Sequence, residues 1–206
     1  MKMKKLLCYV FFLPLGVAVS GLAWSSDSQA GLESSAPYIA IGLNSTNYSL
    51  NKNNIVAGFT GLTQAAVVET NSYNLVASFG YRFDQHMGVQ GDIVSGGSVQ
   101  ATEAGVSTKL FDVSQITLSA LLHTKVSENL GLYGKLGGTF LQIRNINQTS
   151  TKDDHGFGPS IGAGVDYNIF GSKDRTLRFE LSHFVFREVM INSADSLTIS
   201  TVFILQ

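Results

Sequence analysis

Residues 73–83 alternate with a period of two. Tyr73, Leu75, Ala77, Phe79, Tyr81 and Phe83 fall on one side, and Asn74, Val76, Ser78, Gly80 and Arg82 on the other. Only an extended strand sends successive side chains to opposite faces, so the segment is expected to be one strand of a sheet with two chemically different faces. Comparable alternation recurs in residues 38–44, 87–95, 115–126, 131–143, 156–169, 176–186 and 196–205, which makes eight strands. The connections alternate as well. Those at 84–86, 127–130 and 171–174 are short, whereas 45–72, 96–114 and 144–155 are longer and rich in Asn, Ser, Thr or Gly. An even number of antiparallel strands, joined by short turns on one side and longer loops on the other, is the pattern of an up-and-down barrel that crosses an outer membrane.

A soluble barrel also alternates, with its apolar face turned inward, so charge must decide between the two. The apolar series Leu75, Ala77, Phe79; Met87, Val89, Ile93; Ile116, Leu118, Ala120, Leu122; Ala163, Val165, Tyr167, Ile169; Leu177, Phe179, Leu181; and Leu197, Ile199, Phe203, Leu205 contain no charge. Every charged residue within the expected strands has the opposite parity: Arg82, Asp92, Lys125, Lys135, Asp166, Arg178 and Glu180. That segregation fits a lipid-facing surface, where an Arg or Lys near the midplane costs about 2–4 kcal/mol. The opposite face, with Gly42, Ser78, Gly80, Gly88, Thr117, Ser119, Gly137, Thr139, Ser160, Gly162 and Gly164, is small and polar, as a narrow lumen requires. Tyr73, Tyr81, Phe83, Tyr133, Tyr167 and Phe170 lie toward strand ends, where interfacial aromatic girdles form. Only 14% of the chain is charged, which also argues against a fully water-facing surface.

The N-terminus carries Lys2, Lys4 and Lys5 ahead of an apolar run from Leu6 to Val19, the order of a secretory signal peptide. Residues 1–23 are expected to be removed, with cleavage as late as Ala30 also satisfying the small-residue rule, leaving a barrel domain at 36–206. The single cysteine, Cys8, lies inside the leader, too close to the lysines to act as a lipoprotein acceptor, so no disulfide framework follows. The leader takes three of the 14 basic residues and none of the 15 acidic ones, and the mildly acidic remainder has no basic run to hold nucleic acid.

The hairpin Ala120 to Ile143, ALLHTKVSENLGLYGKLGGTFLQI, together with Gly162-Ala163-Gly164-Val165-Asp166-Tyr167 and Leu177-Arg178-Phe179-Glu180, resembles the transmembrane domain of outer-membrane protein A and the wider family of small barrels that includes opacity and attachment-invasion proteins. The resemblance covers most of the mature chain. It implies an all-β, eight-stranded antiparallel up-and-down transmembrane β-barrel in a Gram-negative outer membrane, surrounded by lipid and lipopolysaccharide and monomeric. It also implies an interior salt-bridged network in which Lys135, Asp166, Arg178 and Glu180 take part. Gln90 stands where that family has an acidic residue and Leu121 where it has a lysine, so a gate that switches ion-pair partners is not expected here. A full-length relative carries a peptidoglycan-binding domain, which is not expected in a chain ending at Gln206.

On parity alone, the polar network of the lumen is expected to comprise Arg82, Gln90, Asp92, Lys125, Lys135, Asp166, Arg178 and Glu180, with Asp166 and Arg178 on adjacent strands. Lumenal charges in low dielectric should pair, which makes a plug. No catalytic residue, cofactor site or metal site is expected. Ser182 and His183 are strand neighbours and face opposite sides, so they cannot form the nucleophile–base contact of a lipid A-modifying hydrolase. His86, His123, His155 and His183 have no ligand spacing. The expected function is therefore non-enzymatic: a structural or adhesin-like role, with loops 45–72 and 96–114 meeting a host or envelope partner. A narrow pore for small solutes is the alternative, disfavoured because eight strands leave an interior just filled by side chains.

Overall fold

The computed structural model describes residues 35–50, 66–145, 154–169, 175–186 and 190–205. Among them the chain is strand almost throughout: β1 (Ala36–Leu50), β2 (Val67–Glu69), β3 (Asn71–Arg82), β4 (Met87–Glu103), β5 (Val106–Lys125), β6 (Leu130–Asn145), β7 (Asp154–Asn168), β8 (Arg175–Val185) and β9 (Ile191–Ile204). Neighbouring strands are antiparallel and run in the order β4-β3-β1-β9-β8-β7-β6-β5, and β5 pairs back to β4. Those eight staves therefore close on themselves. The short β2 pairs with β4 above the point where β3 leaves it, and so prolongs the β3 stave. The leader, residues 51–65 of the first long loop, the middle of the 144–155 loop and the turn at 171–174 lie outside the described residues.

The two ends of the barrel differ. At one end the connections are tight: the Asp84 carboxylate accepts the amides of His86 (2.7 Å) and Met87 (2.8 Å). Those two donors hold its carboxyl below the usual carboxylate range. The Leu205 amide bonds to the Pro37 carbonyl at the same end, so both termini of the barrel lie there with the short turns. In outer-membrane barrels this is the periplasmic side.

The other end corrects the sequence reading. The segment 96–114, expected to be a long loop, is a continuous hairpin formed by the far halves of β4 and β5. Its turn is only Ala104 and Gly105, both in the left-handed region (φ 51° and 81°), as a two-residue turn between twisted strands requires. Likewise Ser45–Leu50 and residues 67–72, also expected in a loop, belong largely to β1, β2 and β3. With 17 residues in β4 and 20 in β5, against about 9–11 needed to cross a bilayer, roughly half of this hairpin projects beyond the lipid.

The chemistry of the two faces is set by depth. Around the lower ring Ile41, Leu43, Leu75, Leu118, Leu122, Leu136, Ile161 and Leu181 point outward and are 60–67% exposed, forming the lipid-facing belt. Above it the outward positions become polar, with Ser45, Asn47, Ser114, Arg144, His155 and Asp195 exposed or half-buried. There the inside is apolar: Tyr48, Val99, Ala101, Leu110, Phe111, Val113, Leu141, Ile143, Phe184, Phe186, Ile191 and Ala194 form one buried cluster. These residues come from β1, β4, β5, β6, β8 and β9 and its approach, staves spread round the whole ring, and they can meet only in its interior. The sequence reading expected small polar residues throughout the lumen, and the upper half contradicts it. Fully burying each Leu, Ile or Phe stabilises the fold by about 1.5–3 kcal/mol, so the upper half holds a core of the kind a soluble barrel has.

A local irregularity keeps β4 in step. The inward positions run Gly88, Gln90, Asp92, Val94, and then Gly97, Val99, Ala101, because the register with β5 shifts between Val94 and Gly97. Gly96, at φ 95°, absorbs the extra residue.

Candidate functional site

The staves carry their charges at one depth, below the apolar cluster. Asp166 on β7 and Arg178 on β8 are register partners. Arg178 grips the carboxylate with two bonds, Nε to Oδ1 at 2.7 Å and Nη2 to Oδ2 at 2.8 Å. Its remaining arm, Nη1, donates to Gln90 Oε1 at 2.5 Å. Gln90 is on β4, which is separated from β8 by three staves in either direction round the ring and so stands opposite it, and this bond crosses the full width of the lumen. The fork geometry of a guanidinium suits this role, since one planar group satisfies two walls at once.

A second centre lies beside it. Lys135 Nζ on β6 donates to Asp92 Oδ2 of β4 (2.5 Å) and to Glu180 Oε1 of β8 (2.8 Å). Gln90 Nε2 links the two centres by donating to Asp92 Oδ1 at 2.7 Å. Ser182 Oγ closes the acidic side with a bond to Glu180 Oε1 at 2.9 Å. Three cations, Arg82, Lys135 and Arg178, thus stand among three carboxylates, Asp92, Asp166 and Glu180, all buried. The set is neutral overall, as a low-dielectric interior demands.

Two tyrosines that the sequence reading left out complete the layer. Tyr38 donates to Gln90 Oε1 (2.7 Å) and Tyr133 to Glu180 Oε2 (2.8 Å). Arg178 lies between their rings, 5.3 Å from the centroid of Tyr38 and 4.6 Å from that of Tyr133, a cation–π sandwich. Each ring lies across a glycine that is its register partner, Gly80 for Tyr38 and Gly164 for Tyr133. A Cβ at either glycine would occupy the ring's own space, so these are close-approach positions. Tyr133, expected in the aromatic girdle, is therefore an interior residue. The signal available in the sequence was parity: Tyr133 shares the parity of Lys135 on β6, and Tyr38 that of the small and polar Ala40, Gly42 and Asn44 on β1.

Of the eight residues expected in the network, the structure brings Gln90, Asp92, Lys135, Asp166, Arg178 and Glu180 into one bonded set. Arg82 is buried beside it but reaches Asp166 only at 3.7 Å. Lys125 is not brought in: it lies exposed at the turn end of β5, because the strand there has already passed the rim of the barrel.

Above the charges comes an uncharged polar layer. Asn44 Nδ2 donates to Thr198 Oγ1 (2.7 Å), Asn74 Nδ2 to Asn44 Oδ1 (3.1 Å), and Thr117 and Thr139 share a hydrogen bond at 2.9 Å. Next is the apolar cluster. Ser182 faces inward, while His183 faces outward and pairs with Asp195 at 2.6 Å, so no serine–histidine contact forms. Among the described residues no group of three His, Cys, Asp or Glu could hold a metal ion.

Comparison with known proteins agrees with this architecture. The chain superposes on the attachment invasion locus protein of Yersinia pestis with a TM-score of 0.55, at 14% identity over 83% of this chain and 99% of the other. It superposes on Neisserial surface protein A at 0.57, with 16% identity over 82% and 97% of the two chains. OprG of Pseudomonas aeruginosa aligns at 0.53, with 14% identity over 85% and 95%. At such identities the likeness concerns the fold alone. No curated protein sequence matches the chain. The model of the outer membrane protein β-barrel domain, however, matches residues 15–195. A closed eight-stave ring with an apolar belt outside and a neutralised lumen inside, matched over most of its length by that model, belongs to the outer membrane protein β-barrel family and resides in the outer membrane of a Gram-negative cell.

Proposed function

We propose that this barrel is a non-enzymatic scaffold that presents its projecting half as an interaction surface, adhesin-like in role, toward a host or envelope partner. What supports the reading is the filling of the lumen at three successive depths: the salt-bridged layer, the Asn/Thr layer and the apolar cluster. A conduit needs a continuous polar path, and the apolar cluster interrupts it. Ordering side chains so thoroughly inside a stave ring stiffens the walls, and a rigid wall is a good mount for a surface that binds. The separation of Ser182 from His183 leaves the site without a nucleophile–base pair.

The test is a paired one. Cells carrying the chain with Gln100–Lys109 replaced by a short turn should still insert the barrel but should lose binding to the surfaces that wild-type cells adhere to. In planar bilayers the wild-type protein should give no steady conductance. Steady single-channel steps that alter on Arg178→Ala, with adhesion untouched by the hairpin truncation, would favour a narrow pore instead.

A further inference from the structure

The projecting end is not one continuous wall. Its uppermost part is a small three-stranded sheet, made of β2, the last residues of β4 and the first of β5, in which Val67 stands beside Thr102 and Ser107, and Glu69 beside Gln100 and Lys109. All three strands are interrupted directly below the second of these rows. Thr70, between β2 and β3, belongs to neither strand. On β4 the register with β5 shifts between Val99 and Gln100: Val99 pairs with Phe111 and Gln100 with Lys109, so Leu110 is left over. An extra residue of this kind breaks the ladder and lets a strand bend. Three such breaks at one level make a hinge line across the whole sheet.

The ladders of the neighbouring staves stop at the same level. That of β1 with β3 ends at Asn47 and Asn71, and that of β6 with β5 at Asn145 and Phe111. Among the described residues no strand pairing therefore ties the small sheet to β1 or β6. Just below the line the wall is also loose on one side. Between Leu75–Ser95 and the small sheet β3 and β4 share no ladder, and the Ser98 amide donates instead to the Ser72 hydroxyl at 3.0 Å. The inner face of the small sheet is apolar: Ala101 belongs to the buried cluster and Val68 packs against it, while Leu110, at the hinge line, is buried there too. A rigid paired unit over a packed surface, joined to the rest by a few residues at element ends that can absorb a change of backbone angle, has the parts of a hinged lid.

We propose that residues 67–69 and 100–109 form a flap that tilts as one body about this line, closed over the apolar interior in the observed form and uncovering the upper edge of that interior when it lifts. The motion requires no partner, so it stands apart from the adhesin-like reading of the projecting half.

Nitroxide distances test it. The chain, free of cysteine once residues 1–23 are removed, is refolded into liposomes with labelled cysteines in three pairs of exposed positions. Asn47→Cys with Ser114→Cys spans the ring below the line, and Asn47→Cys with Ser107→Cys spans the line. Val67→Cys with Ser107→Cys lies within the flap, about 10 Å apart because two strand spacings separate them. Double electron–electron resonance should give a narrow distribution for the ring pair and one at least about twice as wide, or with two maxima, for the pair that spans the line. Continuous-wave dipolar broadening within the flap should be strong and uniform. A distribution across the line as narrow as that of the ring pair would mean a fixed extension, and weak, heterogeneous broadening within the flap would mean a frayed tip. Either result would overturn the proposal.

Discussion

Leu118 and Phe111 are both large apolar side chains on β5, yet Leu118 points into lipid, 60% exposed, while Phe111 is completely buried inside the ring. The strand does not change its alternation between them. From Phe111 to Leu121 its odd positions face inward, reading Phe111 and Val113 above but Gln115, Thr117 and Ser119 below, and its even positions read Asp112 and Ser114 above but Ile116 and Leu118 below. What changes is the solvent outside. Next to lipid the apolar residues are cheapest on the outer face and the polar ones must find partners within. Beyond the lipid, water makes the reverse arrangement the favourable one. The same exchange occurs on β6, between inward Thr139 and inward Leu141, and on β8, between inward Ser182 and inward Phe184. One ring is thus a membrane barrel below and a soluble-type barrel above.

Substitutions at these positions can break the comparison. Arg178→Ala removes the group that ties Asp166 to Gln90 and leaves a carboxylate unpaired in the interior, and should cost about 3–5 kcal/mol in denaturant unfolding of the refolded barrel. Phe111→Ala should cost a similar or slightly smaller amount, about 3–5 kcal/mol, by opening a cavity in the upper cluster. If the halves form one cooperative unit, both variants shift a single transition. A separate early transition in Phe111→Ala alone would show that the upper half melts by itself. On the outer face, Leu118→Lys should destabilise by about 2–4 kcal/mol because the charge meets lipid. Ser114→Lys, only two positions further up the same face, should change stability by less than about 0.5 kcal/mol. The exposed His183–Asp195 pair should show the smallest effect, with a double-mutant coupling of about 0.2–1 kcal/mol that fades in high salt.

The strands of the lower half were legible because lipid imposes one rule on all of them: no charge on the apolar parity. That rule placed Asp166 opposite Arg178 and set Lys135 and Glu180 on the inner face. The upper half was illegible for a reason the structure supplies. When apolar residues pass from one parity to the other along an unbroken strand, the alternation fades, and a fading alternation reads as a strand end. Reading β5 as beginning at Gln115 and β1 as ending at Asn44 are two instances, since Val113 and Tyr48 fall on the inward parity that the lower half fills mainly with polar groups. Tyr133 was misplaced by a different confusion. An aromatic residue near a strand end suits a girdle, and only its parity, with Gly164 across the ladder, marks it as an inner residue. The bond from Arg178 across the lumen to Gln90 could not be read from any local pattern, because it depends on which staves the closed ring sets opposite each other.

The exchange of faces is tested most directly by an accessibility scan of β5. After removal of residues 1–23 the chain contains no cysteine, so single cysteines can be placed at Leu122, Ala120, Leu118, Ile116, Ser114 and Asp112 and labelled with a nitroxide in liposomes. Collisions with oxygen dissolved in the bilayer should dominate from Leu122 to Ile116, and collisions with a water-soluble nickel complex at Ser114 and Asp112, with the crossover between Ile116 and Ser114. Lipid-type accessibility continuing through Ser114 and Asp112 would contradict the account.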